Sequence, residues 1–203
     1  MPGPSHADLE AGNPHGGGAV SFPSLETRRL LLRPLVIEDA ATTQRLFPKW
    51  EIVRFMNGIV PWPYPDDGAE SFYREVALPA MAAGTQWTWS LRLKLAPDEM
   101  IGAISLRRGD SDNRGFWLGL PWHRQGLMTE ASDLVTDYWF DVLGEPMLRV
   151  PKAAANLASR RISKRCGMRL IATEQRRFVS GEHLGEIWEI TAEEWRRYRR
   201  QTP

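Results

Sequence analysis

A single cysteine, Cys166, stands among 203 residues, so no disulfide can close within the chain. With four histidines and no cluster of them, a structural zinc site is not expected either. Long apolar runs are missing too. None approaches the ~20 residues that cross a bilayer, and the first residues include no apolar signal segment. Excess charge of one sign is also absent: a net charge of +1 removes the bulk electrostatic case for nucleic acid or a membrane surface. These absences lead to the expectation of an unexported, cytoplasmic protein. With 42% hydrophobic and 25% charged residues, the chain has enough apolar material for one domain with a sizeable core. Charge is uneven along it, since half of the 26 Lys and Arg lie from Arg149 onward.

The opening MPGPSHADLEAGNPHGGGAV is rich in Gly and Pro and has little to bury, so residues 1–22 are expected to form a disordered tail before a domain at 23–203. His6 and His15 fall in that tail and are set aside as catalysts. From Arg28 the pattern changes. Leu30 to Arg33 reads as a strand, and Glu38 to Phe47 as a helix whose acidic start suits its positive end. MNGIVPWPYP, at Met56 to Pro65, is a loop because its prolines remove donors and fix φ. Asp66 to Ala83 reads as helical, with Pro79 expected to kink or end it.

Gln86 to Leu93, Met100 to Leu106 and Gly115 to Leu120 are three strands in succession, an antiparallel meander with the polar turn GDSDNR before the third. From Gln125 to Leu143, apolar residues at Leu127, Ala131, Leu134, Val135, Tyr138, Trp139 and Val142 form the stripe of an amphipathic helix. A strand near Met147 to Val150, a helix from Asn156 to Arg165 and a stop at Gly167 follow. Arg169 to Thr173, Arg176 to Val179 and Gly185 to Ile190 read as strands, the last two joined around Gly181. Thr191 to Glu194 is a capping-box pattern opening a terminal helix through Trp195 and Tyr198.

Two segments bear on chemistry. In PWHRQGLMTEA, Pro121 to Ala131, a strand ends, a turn with one glycine follows and a helix begins. The free N–H groups around Gln125 to Met128 suit an anion, and Gly126 lets backbone approach closely, although a plain strand-to-helix turn has the same pattern. In NLASRRISKRCGM, Asn156 and Ser159 share a helix face with Lys and Arg along the same element. An N-cap Asn and a solvated basic face read equally well there.

In this order the two segments resemble the GNAT acyltransferase superfamily, and more narrowly its branch of ribosomal-protein N-terminal acetyltransferases, RimJ and RimL. Gly126, Met128, Thr129, Glu130 and Ala131 match one motif; Asn156, Ser159, Ile162, Lys164 and Gly167 match the other. The opening Glu26 to Pro34, the loop Pro61 to Tyr64 and Glu194-Trp195 extend the likeness over roughly Ser24 to Trp195. The resemblance implies an α+β GNAT fold: a central mixed, mostly antiparallel twisted sheet flanked by helices, its strands splayed at the acyl-CoA site. It implies that the turn His123, Arg124, Gln125, Gly126, Leu127, Met128 and Thr129 holds the pyrophosphate of acetyl-CoA. The backbone of Leu118, Gly119 and Leu120 would face the thioester and pantetheine arm. Asn156 would bind the arm, and Ser159 would stand at the sulfur as the catalytic donor to the departing thiolate. The chemistry would be direct attack by an amine, without metal or covalent enzyme intermediate.

The chain departs from the superfamily at His123, usually Gln or Arg, and at Met128, usually Gly or Ala. His123 is read as a phosphate-side turn residue rather than a base, and Cys166 as a packing residue rather than a nucleophile. Glu51, Asp98, Glu99, Glu174 and Glu182 are open candidates for the general base. Trp50, Trp62, Tyr64 and Phe72 are candidate walls of the acceptor pocket, with loop anchoring as the alternative. The favoured function is an N-acetyltransferase acting on a protein N-terminus or small-molecule amine, with no membrane or direct nucleic-acid partner and room for a homodimer. A non-catalytic CoA sensor and an RNA-associated module built on the basic quarter are the competing readings.

Overall fold

The computed structural model describes residues 22–201. The expected tail, and with it His6 and His15, lies outside the described residues except for Phe22. That ring stacks on Trp89 with centroids 5.0 Å apart, and the Trp89 indole N–H donates to the Pro23 carbonyl.

Eight strands form two antiparallel sheets. β1 (Leu25–Glu26), β2 (Leu30–Pro34), β3 (Gln86–Leu93), β4 (Ala96–Arg107) and β5 (Arg114–Leu118) lie side by side in that order. β6 (Met147–Ala153), β7 (Arg169–Phe178) and β8 (Gly181–Thr191) form the second sheet, in the order β6-β8-β7. β3 alternates Trp and Leu with Thr, Ser and Arg, yet Gln86 to Arg92 are all buried because helices cover both faces. On one face Trp87, Trp89 and Leu91 enter the main core with Leu127, Ala131 and Val135 of α5 (Leu127–Asp137). On the other lie α1 (Ala40–Leu46), α2 (Trp50–Val53) and the helical segment from Gly68 to Ala82. Arg92 on that face is balanced by buried Asp39 and donates to the Asp98 carbonyl. No helix among the described residues is long and apolar enough to cross a membrane.

Pro79 neither ends nor breaks its helix. α3 (Gly68–Phe72) widens into a π turn at Tyr73–Ala77 before α4 (Leu78–Ala82), with the Leu78 N–H reaching back to the Tyr73 carbonyl. The wider turn takes up the missing donor and the ring's bulk. A second π turn, Tyr138–Val142, extends α5 and shifts its phase, so Val142 leaves the apolar stripe and is 60% exposed. The stretch from Arg169 to Phe178, expected as two strands, is one. As an edge strand exposed over most of its length, it has little buried face to impose alternation, and a register shift falls between Leu170 and Ala172. α6 (Leu157–Arg165) ends at Gly167 with φ 70°, and α7 (Ala192–Gln201) opens on the Thr191–Glu194 box.

Candidate active site

The two sheets meet where β5 and β6 part. α5 carries the chain back from the end of β5 to the start of β6, so these strands run parallel. The Asn113 N–H donates to the Arg149 carbonyl at 2.9 Å, and the Arg149 N–H to the Asn113 side chain at 2.8 Å. Beyond that pin no ladder joins β5 to β6 among the described residues. Register shows which groups face the gap. Gly119 donates to the Ile101 carbonyl on β4, so by period two Phe116 and Leu118 turn their N–H and C=O away from β4. Ala154 donates to the Leu184 carbonyl near β8, so Arg149, Pro151 and Ala153 turn theirs toward β5. Pro151 has no N–H to offer there. The sequence thus interrupts the ladder at the residue where it would continue.

At the open end of β5, a 3₁₀ turn (Leu120–Trp122) leads into the quoted turn. Arg124 and Gly126 adopt left-handed φ values of 61° and 76°. The His123 Nε2–H donates to the Leu118 carbonyl at 2.8 Å, which ties the turn to the strand and uses the ring as a brace. Leu127 and Met128 are buried, so only their backbone faces outward, whereas His123 to Gly126 are exposed. Arg29 was missed by sequence reasoning as part of this turn. It donates to the Gln125 carbonyl at 2.9 Å, and one of its terminal nitrogens stands 3.5 Å from where a Cβ on Gly126 would be. Glu130 is its partner. This carboxylate accepts from the Arg29 backbone at 2.9 Å, from Arg29 Nε at 2.7 Å and from the Thr27 hydroxyl. These bonds, to Thr27 and Arg29, hold its proton affinity below the usual carboxylate range against the opposing effect of burial. Motif residues a hundred positions apart in sequence are therefore one clasp at the start of α5. Arg29 and Arg124 give this helix start a cationic rim.

α6 begins on the same side. Asn156 is its N-cap, its Oδ1 accepting from the Ser159 N–H at 3.1 Å, which leaves the side-chain amide as a donor. Ser159 is 9% exposed. One turn on, Ser163 contacts the ammonium of Lys152, which is buried between β6 and α6 beside Trp188, Glu186 and Arg114. Burial and the Arg114 charge lower the Lys152 pKa to about 7. Cys166 is fully buried and its thiol donates to Asp133 at 3.3 Å; burial pushes it up to about 11, which suits packing.

The opposite face of the gap carries the aromatic loop. Trp50 and Trp62 pair with centroids 5.6 Å apart and are both about two-fifths exposed. Tyr64 is half-buried, packs edge-on to Phe47 at 5.3 Å and closes over Gly68. Phe72 lies on α3 against Tyr73, and no ring contact joins it to the Trp50–Trp62 pair among the described residues. Trp117, which sequence reasoning passed over, stands beside this group on β5, 5.4 Å from Phe47. The loop is fixed to the β7–β8 hairpin: Gly58 donates to the Arg177 carbonyl, Val179 to Met56 and Ser180 to Arg54. Of the five acids, Glu174 is paired with Arg176 at 3.1 Å. Asp98 and Glu99 lie at the start of β4, beyond the Gly102–Leu118 pair.

Residues 29–169 match the family model described as an acetyltransferase (GNAT) domain. No curated protein sequence matches the chain. Among solved structures, a ribosomal-protein-S5-alanine acetyltransferase from Vibrio fischeri is 13% identical with a TM-score of 0.71, covering 85% of this chain and 98% of its own. RimJ of Mycobacterium smegmatis, in complex with CoA-disulfide, is 18% identical with a TM-score of 0.67, covering 81% and 83%. RimL, a ribosomal L7/L12 α-N-protein acetyltransferase in complex with coenzyme A, is 15% identical with a TM-score of 0.68, covering 85% and 97%. At these identities the likeness establishes the fold.

Proposed function

We infer that this chain, which belongs to the acetyltransferase (GNAT) domain family, transfers the acetyl group of acetyl-CoA to a primary amine of a protein N-terminus or small molecule. Membership makes it an acyl-CoA-dependent acyltransferase. The observation that carries the finer reading is the pair of facing, unladdered strand edges between the starts of α5 and α6. An extended arm bearing amides can pair with the turned-out groups of Phe116 and the Leu118 N–H on one side, and with the Pro151 carbonyl and the Ala153 N–H on the other. Its pyrophosphate then falls on the N–H groups from Gly126 to Thr129, against Arg29 and Arg124.

In this reading the side-chain amide of Asn156 holds the arm. The Leu118 N–H points to where the thioester oxygen gains charge, and donors fixed before the reaction lower its barrier most. Ser159 donates to the sulfur as the thiolate leaves. With α5 and α6 on one face, the amine arrives from the other, between Trp117, the Trp50–Trp62 pair and the β7–β8 hairpin. Its nitrogen bonds to the carbonyl carbon, the C–S bond breaks and CoA leaves as the thiol. Retention of Ser159 in its buried position supports turnover over passive CoA sensing. Calorimetry with CoA, followed by acetyl-CoA consumption over panels of amines and N-terminal peptides, tests the reading. Binding without turnover on any amine would leave a sensor, and absence of binding would overturn it.

A further inference from the structure

We propose that His183 is the general base of this reaction, its Nδ1 taking the proton that the acceptor ammonium must shed before it can attack. The inference rests on the amine-transfer reading above and supplies the group that reading lacks.

Register places the ring. On β8, Glu186 and Trp188 lie on the α6 face with Lys152 and Val150, because cross-strand partners share a face. The odd positions, Gly185 and His183, therefore lie on the opposite face, where a Cβ on Gly185 would run into Arg176 of β7. Gly185 is the partner of Ala153 at the open end of β6. His183 is two residues further along β8, about 7 Å at ~3.3 Å per residue. This is the face by which the amine must come, since the helix starts occupy the other. The ring is partly exposed there, 6.2 Å from Phe178, and Phe178 bridges to Asn57 of the aromatic loop. Val179 of the same hairpin packs in the cluster that includes Trp117.

The ring has one hydrogen-bonding neighbour among the described residues. His183 Nε2 is 2.9 Å from the Ser180 hydroxyl, and Nδ1 has no hydrogen-bond partner among the described residues. The Ser180 hydroxyl can donate to or accept from Nε2; in the tautomer whose Nε2–H donates to Ser180 Oγ, Nδ1 carries the lone pair that a base requires. The charged groups around it are the cross-strand Arg176 with its partner Glu174, Arg177 and Glu182 on the hairpin, and Arg54 from the loop, stacked over Phe55. Asp112 faces Arg176 from the β4–β5 turn. Ala153 and Ala154 add no charge. Among the hairpin's acids, Glu174 is held by Arg176, and Glu182 by strand alternation falls on the other face. Among the hairpin's described titratable groups on that face, His183 is the one without an ion pair. The ammonium gives one proton to Nδ1 directly or through water, the neutral amine bonds to the thioester carbon, and its second proton leaves with the thiolate as CoA thiol. The imidazolium then returns its proton to solvent.

Bromoacetyl-CoA tests the placement without any acceptor. It carries an electrophilic methylene at the acetyl position, which Nδ1 attacks with loss of bromide. Mass spectrometry should find the adduct on His183, suppressed by excess CoA. Labelling elsewhere, or none while calorimetry shows CoA bound, would overturn the assignment. Absence of CoA binding would overturn it together with the acyltransfer reading. For the chemistry, His183→Gln with an N-terminal Ser peptide as acceptor should lower kcat ~10- to 100-fold. It should remove the acidic limb of the pH profile, leave the KM for acetyl-CoA within about twofold, and be partly rescued by added imidazole. A retained acidic limb would refute the role. Ser180→Ala should show a smaller loss with the limb displaced rather than abolished.

Discussion

Replacing Lys152 by Met should stabilise the protein, and by an amount that depends on pH. Lys152 is 5% exposed, and the charges around it are split, with Arg114 opposing its ionisation and Glu186 favouring it. The folded pKa of about 7 lies below the ordinary lysine value of 10.5. Between these values the unfolded chain binds a proton that the folded chain rejects, so stability rises with pH across the window. It is lost as pH falls toward 7, and below that both states are protonated and the full cost is present. At ~1.4 kcal/mol per pH unit, the cost approaches about 5 kcal/mol in acid. Met removes that cost but also the contact with Ser163, worth ~1 kcal/mol and independent of pH in this range. The advantage of Lys152→Met over the parent should therefore shrink by about 2 kcal/mol between pH 6.5 and 8.5. Urea unfolding of both proteins at the two pH values measures it, since groups common to both cancel in the difference. A difference that stays constant with pH would show that Lys152 is charged throughout, and the account of its burial would fail.

Gly126→Glu should abolish CoA binding in calorimetry while the fold persists; the left-handed φ adds ~1 to 2 kcal/mol of strain, visible in the melt. Ser159→Ala should lower kcat ~10- to 1,000-fold with CoA affinity nearly unchanged, because the lost bond belongs to the transition state. Asn156→Asp keeps the cap acceptor but loses the amide donor, so it should raise the KM for acetyl-CoA with little change in melting temperature; an unchanged KM would leave Asn156 a cap alone. Glu130→Gln should cost ~1 to 3 kcal/mol at neutral pH, and the cost should fade in acid as the parent's own carboxylate is protonated; equal urea midpoints for the two proteins at pH 7 would refute the clasp. We further expect a chain beginning at Phe22 to keep its melting temperature and CoA affinity, since the segment from Met1 to Val20 has little to bury.

Much of the fold was legible because local patterns and tertiary demand agree. The Trp and Leu positions of β3, the stripe of α5 and the Thr191–Glu194 box each specify an element that the structure contains. Where demand is weak, the reading failed. β7 has no buried face to impose alternation over most of its length and looked like two fragments; Pro79 was expected to kink or end its helix, and the helix instead continues past it after a π turn that leaves no signature in sequence. The turn before α5 was legible from one glycine and its order with Asn156 and Ser159. Its cationic rim was not, since Arg29 arrives from the start of the domain by a clasp that only the folded chain brings together. His183 and Trp117 were illegible for the same reason: their position depends on strand parity across two sheets, and no local spacing encodes it.

The two sheets share one core, yet edge to edge β5 and β6 are pinned at Asn113 and Arg149 alone among the described residues. Each sheet leaves one strand margin unfinished toward the other. A chain of amides laid between the margins would act as a temporary extra strand, welding the two into a single sheet. A catalytic cycle would then alternate between a finished and an unfinished protein, and every release of CoA would unzip a seam as well as empty a pocket.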